Sequence, residues 1–146
     1  MPHQLLASVP RGLADLLAKE LTGLGAAEVR ERTTGVAFRG SLETAYRACL
    51  ESRLANRVFL EIARFEAASA ADFYAAARAI DWSQHFGPRA TLACDFSGKH
   101  PTITHSHFGA LKLKDAIVDT LREASGTRPD IVLDLPDVRV HAHAHG

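Results

Sequence analysis

No run of about 18 apolar residues occurs along the 146-residue chain, so no membrane-spanning helix is expected. The opening residues, MPHQLLASVP, lack the pattern of a secretion signal. Cysteine is scarce. Cys49 and Cys94 are the only two and stand far apart, a pattern read as buried free thiols in a reducing cytoplasm. Neither sign of charge is in excess, since 17 Lys+Arg meet 17 Asp+Glu. A strong non-specific polyanion binder normally carries a marked basic excess, so that class is disfavoured. Recognition of RNA by a local patch is left open.

The short motifs of common catalytic sites are also missing. There is no P-loop and no nucleophile elbow. Gly23-Leu24-Gly25 follows a helical pattern, precedes a strand and lacks a third glycine, so it is no dinucleotide fingerprint. There is no Asn/Asp-Pro-Pro-aromatic tetrapeptide and no glycine-rich strand-to-helix turn. A Rossmann-type methyl-transfer site is therefore not expected in this chain, which shows no recognisable catalytic site.

What is present is a soluble composition, 47% apolar and 23% charged, with room for one ordinary domain or two small ones. The most distinctive stretch is Phe96–Arg122. From Ser97 to Lys114 it has no acidic residue, while it holds Lys99, His100, His105, His107, Lys112 and Lys114. It crosses a polar loop into the longest amphipathic helix of the sequence. At about 100° per residue, Ala110, Leu113, Ile117 and Leu121 share one face, widened by Leu111 and Val118. Lys112 with Asp115 and Asp119 with Arg122 are i,i+3 pairs on the other side. Lys114 falls inside the apolar arc, where a lysine snorkels or points at an anion.

Taken in order, Leu5–Val9 reads as a strand, Pro10-Arg11-Gly12 as a turn, and Leu13, Leu16, Leu17, Leu21 and Leu24 as a helix stopped by Gly23 and Gly25. Val29–Thr33 and Val36–Arg39 form a hairpin about Thr34-Gly35. Ser41 caps a helix whose buried stripe is Leu42, Ala45, Tyr46 and Cys49. Arg57–Phe65 alternates as a strand. The order β-α-β-β-α-β is the ferredoxin-like arrangement. The alanine-rich text near Glu66–Ala71 marks a module boundary. Asp72–Ile80 is then a helix, and Asp81–Phe86 a short turn stopped by Gly87-Pro88. Thr91–Ser97 is a strand, with the long helix after it. Val138–His143 is a last strand, with Arg139, His141, His143 and His145 on one face. A lone last strand expects a neighbour, so the sequence reads as a piece of a longer protein or as a sheet edge that pairs elsewhere.

Four sets of residues carry functional readings. His141, His143 and His145 share a strand face and would ligate a metal if an acid or cysteine completed the site; none is evident, and a polar strand face is the simpler reading. Arg53 and Arg57 flank a helix end and a strand start, and suit either charge compensation or phosphate. Trp82 suits core packing better than base stacking. The edge of Val138–Ala144 suits strand addition by a partner or a second copy.

LLASVPRGLADLLAKELTGLGA, TTGVAFRG, CLESRLANRVFLEI, AIDWSQHFGPRATLACDFSG, HFGALKLKDAIVDTLRE and PDVRVHAH follow one another over essentially the whole chain. Together they resemble the N-terminal region of the bacterial 23S ribosomal RNA guanine-N2 methyltransferase family. The resemblance implies an α+β fold: a ferredoxin-like domain at 1–66 and an α/β THUMP domain at 67–146, incomplete at its C-terminus. It implies a cytoplasmic, RNA-binding, substrate-presenting role toward structured RNA, namely 23S rRNA. The S-adenosylmethionine-dependent catalytic domain would lie outside this chain, which would hold no cofactor itself. The RNA-facing residues it implies are Lys99, Lys112, Lys114, Arg139, Arg53 and Arg57. The alternative from another class is the protein-interaction or dimerisation module using the open sheet edge. Zero net charge predicts modest affinity and a shallow salt dependence for the isolated piece.

Overall fold

In the computed structural model, which describes residues 2–32, 35–87 and 89–144, the opening HQLLAS forms β1 (His3–Ser8). Alternation buries Leu5 and Ala7. Gly12 takes φ +85° in the turn into α1 (Ala14–Gly23), which buries Leu17 and Leu21 one turn apart. The hairpin forms as expected, from β2 (Ala27–Glu31) and β3 (Gly35–Gly40). Thr34 of its turn lies outside the described residues. A side chain at Gly35 would run into the Ala7 carbonyl, so glycine permits the approach of β1. Ser41 caps α2 (Leu42–Glu51), its hydroxyl accepting from the Thr44 amide at 3.2 Å. The last element of this unit is β4 (Arg57–Leu60).

These strands form one antiparallel sheet in the order β2-β3-β1-β4, the ferredoxin-like topology. Its core is Leu5, Ala7, Val9, Leu17, Leu21, Val36, Phe38, Ala45 and Ala48. Two expectations are corrected here. The helix α2 rests on Ala45 and Ala48, while Leu42, Tyr46 and Cys49 are exposed, Tyr46 at 63%. The helix meets its unit through its smallest side chains, which turns the large ones outward. The strand expected to reach Phe65 ends at Leu60. Its partner β1 has only Gln4 and His3 left beyond Leu5↔Leu60, and Pro2 before them has no amide hydrogen.

The chain divides into units Met1–Arg64 and Phe65–Gly146. The second begins with α3 (Ala70–Arg78), capped by Ser69, followed by a 3-10 turn at Trp82–Gln84. Pro88, part of the expected stop, lies outside the described residues. Then come β5 (Leu92–Gly98), α4 (Ser106–Ser125) and β6 (Val138–Ala144). Strands β5 and β6 are parallel over seven pairs, Leu92↔Val138 to Gly98↔Ala144, which makes β5-α4-β6 a crossover unit. Residues 130–132 hydrogen-bond to Leu92 on the other edge of β5. The core gathers Phe73, Ala77, Trp82, Leu92, Phe96, Ile103, Leu113, Ala116, Ile117 and Leu121. Trp82 is 2% exposed and its indole donates to the Ala77 carbonyl at 2.8 Å. That makes it a satisfied core residue, not a stacking platform. Phe96 meets Phe73 edge-on at 5.6 Å and lies against the α4 backbone at Gly109. Leu111 is exposed rather than part of the buried arc.

Candidate functional site

The acid-free stretch leaves β5 at Gly98, which takes φ +95° close against the Ala144 carbonyl. The next amide, Lys99 N, donates to that same carbonyl at 3.1 Å. The backbone of Lys99 is thus fixed at the carboxyl ends of both parallel strands, while its side chain is exposed. His100 organises the loop. Its Nε2 lies 2.6 Å from the Ala67 carbonyl, which only accepts, so Nε2 carries the proton. Nδ1 is then the acceptor for the Thr102 and Ile103 amides at 3.2 and 3.1 Å. The loop delivers the chain to His105, the N-cap of α4, which has no side-chain cap bond and no acid in the first turn. That helix end therefore keeps its positive dipole end uncompensated by carboxylate.

The lysines of α4 do not act together. Two residues of helix turn the side chain by about 200°, so Lys112 and Lys114 leave on nearly opposite sides. Lys112 Nζ stands 5.6 Å from the Phe108 ring centroid and 5.9 Å from that of Tyr74, a cation–π setting. Lys114 pairs with Asp115 at 3.0 Å. The anion expected for it is this carboxylate, which displaces the expected Lys112–Asp115 pair; the Arg122–Asp119 pair forms at 3.0 Å. Arg139 also has partners, Asp95 at 2.8 Å and the Leu133 carbonyl at 3.0 Å. It lies opposite Ala93, six residues and about 20 Å along β5 from Lys99. Four basic residues of the second unit are thus dispersed, and two of them are ion-paired.

On the same sheet face, Ser97 Oγ is 2.8 Å from both His141 Nε2 and His143 Nδ1. Sequence reasoning missed Ser97, although its alternation with Asp95 placed it on the polar face. His145, the third histidine of the expected row, lies outside the described residues. Among the described residues no group of three or more His, Cys, Asp or Glu is arranged to hold a metal ion. Tyr74, also missed, donates to Asp119 at 2.5 Å and ties α3 to α4. That hydrogen bond, helped by burial, raises the pKa of its phenol. Cys94 is pushed up to about 12, by burial first and then by Asp95, with Lys114 opposing. It is a poor nucleophile at neutral pH. Both cysteines were expected to be buried, but Cys49 is exposed and Cys94 only half-buried.

In the first unit, Arg57 opens β4 opposite Ser8. Arg53 follows α2, where Glu20 holds the Ser52 hydroxyl and accepts from the Arg53 amide at 3.1 Å. The Arg53 and Arg57 side chains are exposed, and neither makes an ion pair among the described residues.

Two family models match the chain: the RlmL ferredoxin-like domain over residues 4–59 and the THUMP domain over residues 67–146. A curated relative from Methylococcus capsulatus, described as ribosomal RNA large subunit methyltransferase K/L, is 50% identical over 98% of this chain. The chain spans 19% of that relative's length. A solved structure from Listeria monocytogenes, described as a predicted N6-adenine-specific DNA methylase, superposes with TM-score 0.83. It is 22% identical over 99% of this chain and 37% of its own. Another, a complex with SAH, superposes with TM-score 0.83 at 19% identity over 98% of this chain and 39% of its own. Both likenesses speak to the fold alone.

Proposed function

The chain belongs to the THUMP-domain family, with an RlmL ferredoxin-like domain ahead of the THUMP domain, and on that premise we propose that it binds RNA and presents it to a methyltransferase domain outside this chain. The observation that carries the reading is the 50% identity to a ribosomal RNA large subunit methyltransferase over 98% of the chain. The RNA is structured 23S rRNA, and the reaction served is S-adenosylmethionine-dependent methylation of guanine N2. The domains run over residues 1–66 and 67–146, and the protein works in the cytoplasm.

The chain contributes binding, not chemistry. Lys99, Lys112, Arg53 and Arg57 offer charge to phosphates, while shape and 2′-hydroxyls supply selectivity. Lys114 and Arg139 join only by exchanging Asp115 or Asp95 for a phosphate, so their individual contributions are smaller. The test is binding of the chain to a 23S rRNA fragment at about 0.1 M salt, where each lost phosphate contact also flattens the salt dependence. Lys99→Glu/Lys112→Glu is expected to weaken binding at least about tenfold, the loss of about 1.4 kcal/mol. Lys114→Glu is expected to do less. Equal affinity for wild type and the double variant would remove these two residues from the interface.

The interaction-module reading draws on β6, whose outer edge has no paired strand among the described residues. It predicts a mass that rises with concentration and no dependence on RNA.

A further inference from the structure

The two ends of the ferredoxin-like sheet use their arginines differently. At the end where β1 begins, Arg39 pairs with Glu28 at 3.7 Å and Arg64 with Glu61 at 2.9 Å. At the end where β1 finishes, Ser8 stands between Gly35 of β3 and Arg57 of β4. The Arg32 amide in turn donates to the Gly35 carbonyl at 2.7 Å. These pairings set Arg32, Gly35, Ser8 and Arg57 in a row across the four strands. Three strand spacings put the backbones of Arg32 and Arg57 about 14 Å apart. Arg11 sits at the same end, in the turn after β1.

Arg11, Arg32 and Arg57 are all exposed. None of them makes an ion pair among the described residues. The carboxylates on the adjoining segments are Asp15, Glu20, Glu31 and Glu51. Glu20 accepts from the Arg53 amide and Glu51 pairs with Arg47, while none of the four pairs with Arg11, Arg32 or Arg57 among the described residues. Apolar anchors are the usual centre of a protein interface. Among the described residues of 9–12, 31–32 and 52–57 no large apolar side chain is exposed, and the exposed ones near in sequence include Leu16 of α1 and Leu50 of α2. Unpaired arginine forks spread along a line suit successive phosphate oxygens.

We propose that Arg11, Arg32 and Arg57 form a phosphate-backbone contact for RNA, so that the ferredoxin-like unit grips RNA directly. The proposal rests on the RNA reading above and adds Arg11 and Arg32, which the chain's linear pattern did not single out. The row forms only because β1 and the hairpin end in register.

The test measures the affinity of the full chain for a 23S rRNA fragment across about 50 to 200 mM salt. Arg11→Gln/Arg32→Gln/Arg57→Gln is expected to bind at least about tenfold more weakly, with the slope of log affinity against log salt reduced by about 2 to 3. Arg39→Gln/Arg64→Gln, neutralising the paired arginines of the other end, is expected to change affinity less than about twofold. The corresponding triple lysine variant keeps the charge and should keep the slope. If the glutamine triple does not fold, each single substitution should still lower the slope by about 0.7 to 0.9. An unchanged slope in variants of a wild type that binds would overturn this inference and leave the RNA reading standing. Equal weakening by the opposite-end pair would also overturn it, reducing the effect to net charge. A wild type that ignores RNA would remove both.

Discussion

The two thiols of this chain stand in opposite surroundings. Cys49 is exposed, while Cys94 is held neutral by burial and by Asp95. At pH 8, a thiol reagent should label one cysteine at once and the second far more slowly, with the fast phase abolished in Cys49→Ser. Fast labelling of Cys94 would contradict its packing. The same shift couples stability to pH. Because the thiol goes from 9.0 to about 12 on folding, the unfolded chain ionises first as pH rises. The contribution of Cys94 is therefore complete below pH 9 and declines toward pH 12. Denaturant melts at pH 8 and pH 10.5 should differ by less in Cys94→Ala than in wild type. His100 offers a second residue test. Its ring joins the Ala67 carbonyl to the Thr102 and Ile103 amides. His100→Ala leaves these groups to find other partners, and should cost about 1–3 kcal/mol. A midpoint unmoved in urea would show that the ring does not hold this loop.

Helix α4 depends on one small residue at its contact with the sheet. A side chain at Gly109 would enter the Phe96 ring, which is itself buried against Phe73. Helix propensity favours Gly109→Ala by up to about 1 kcal/mol, whereas overpacking costs about 1–3 kcal/mol. The clash is with a ring held on both sides, so net destabilisation is expected, and Phe96→Leu should partly relieve it. A more stable Gly109→Ala in thermal melts would show that the ring moves freely. How much the sequence disclosed also divides by element. Helix α2 was legible because its cap, Ser41, acts locally, whereas α3 was read from Asp72, two residues late, because its cap Ser69 was not recognised. The ferredoxin-like order was legible because alternation and turns repeat over short distances. The parallel pairing of β5 with β6 was not, since its partners lie 46 positions apart, as Leu92 and Val138 do. The orientation of α2 was misread for a related reason. Its apolar pattern is carried by large residues, yet Ala45 and Ala48 make its buried contact. Only the neighbouring elements decide which face is covered.

At the scale of the whole molecule, charge balance and charge placement say different things. A net charge of zero suggests modest affinity, but many cations are already committed, as in Arg78–Glu123, Arg122–Asp119 and Arg139–Asp95. The candidate site was legible in part: Lys99 and Arg57 stand exposed where a linear reading put them. That Lys112 and Lys114 diverge, and that Arg139 is held by Asp95, follows from helix phase and strand register, which no single stretch reveals. The account predicts few phosphate contacts, made by the cations left uncommitted. Its central claim is that this chain binds structured ribosomal RNA. The measurement that tests it most directly is titration of the chain with a folded 23S rRNA fragment beside an unstructured RNA of equal length, each at several salt concentrations. The account predicts tighter binding to the folded fragment, weakening as salt rises. Equal binding to both, or none at low salt, would contradict it.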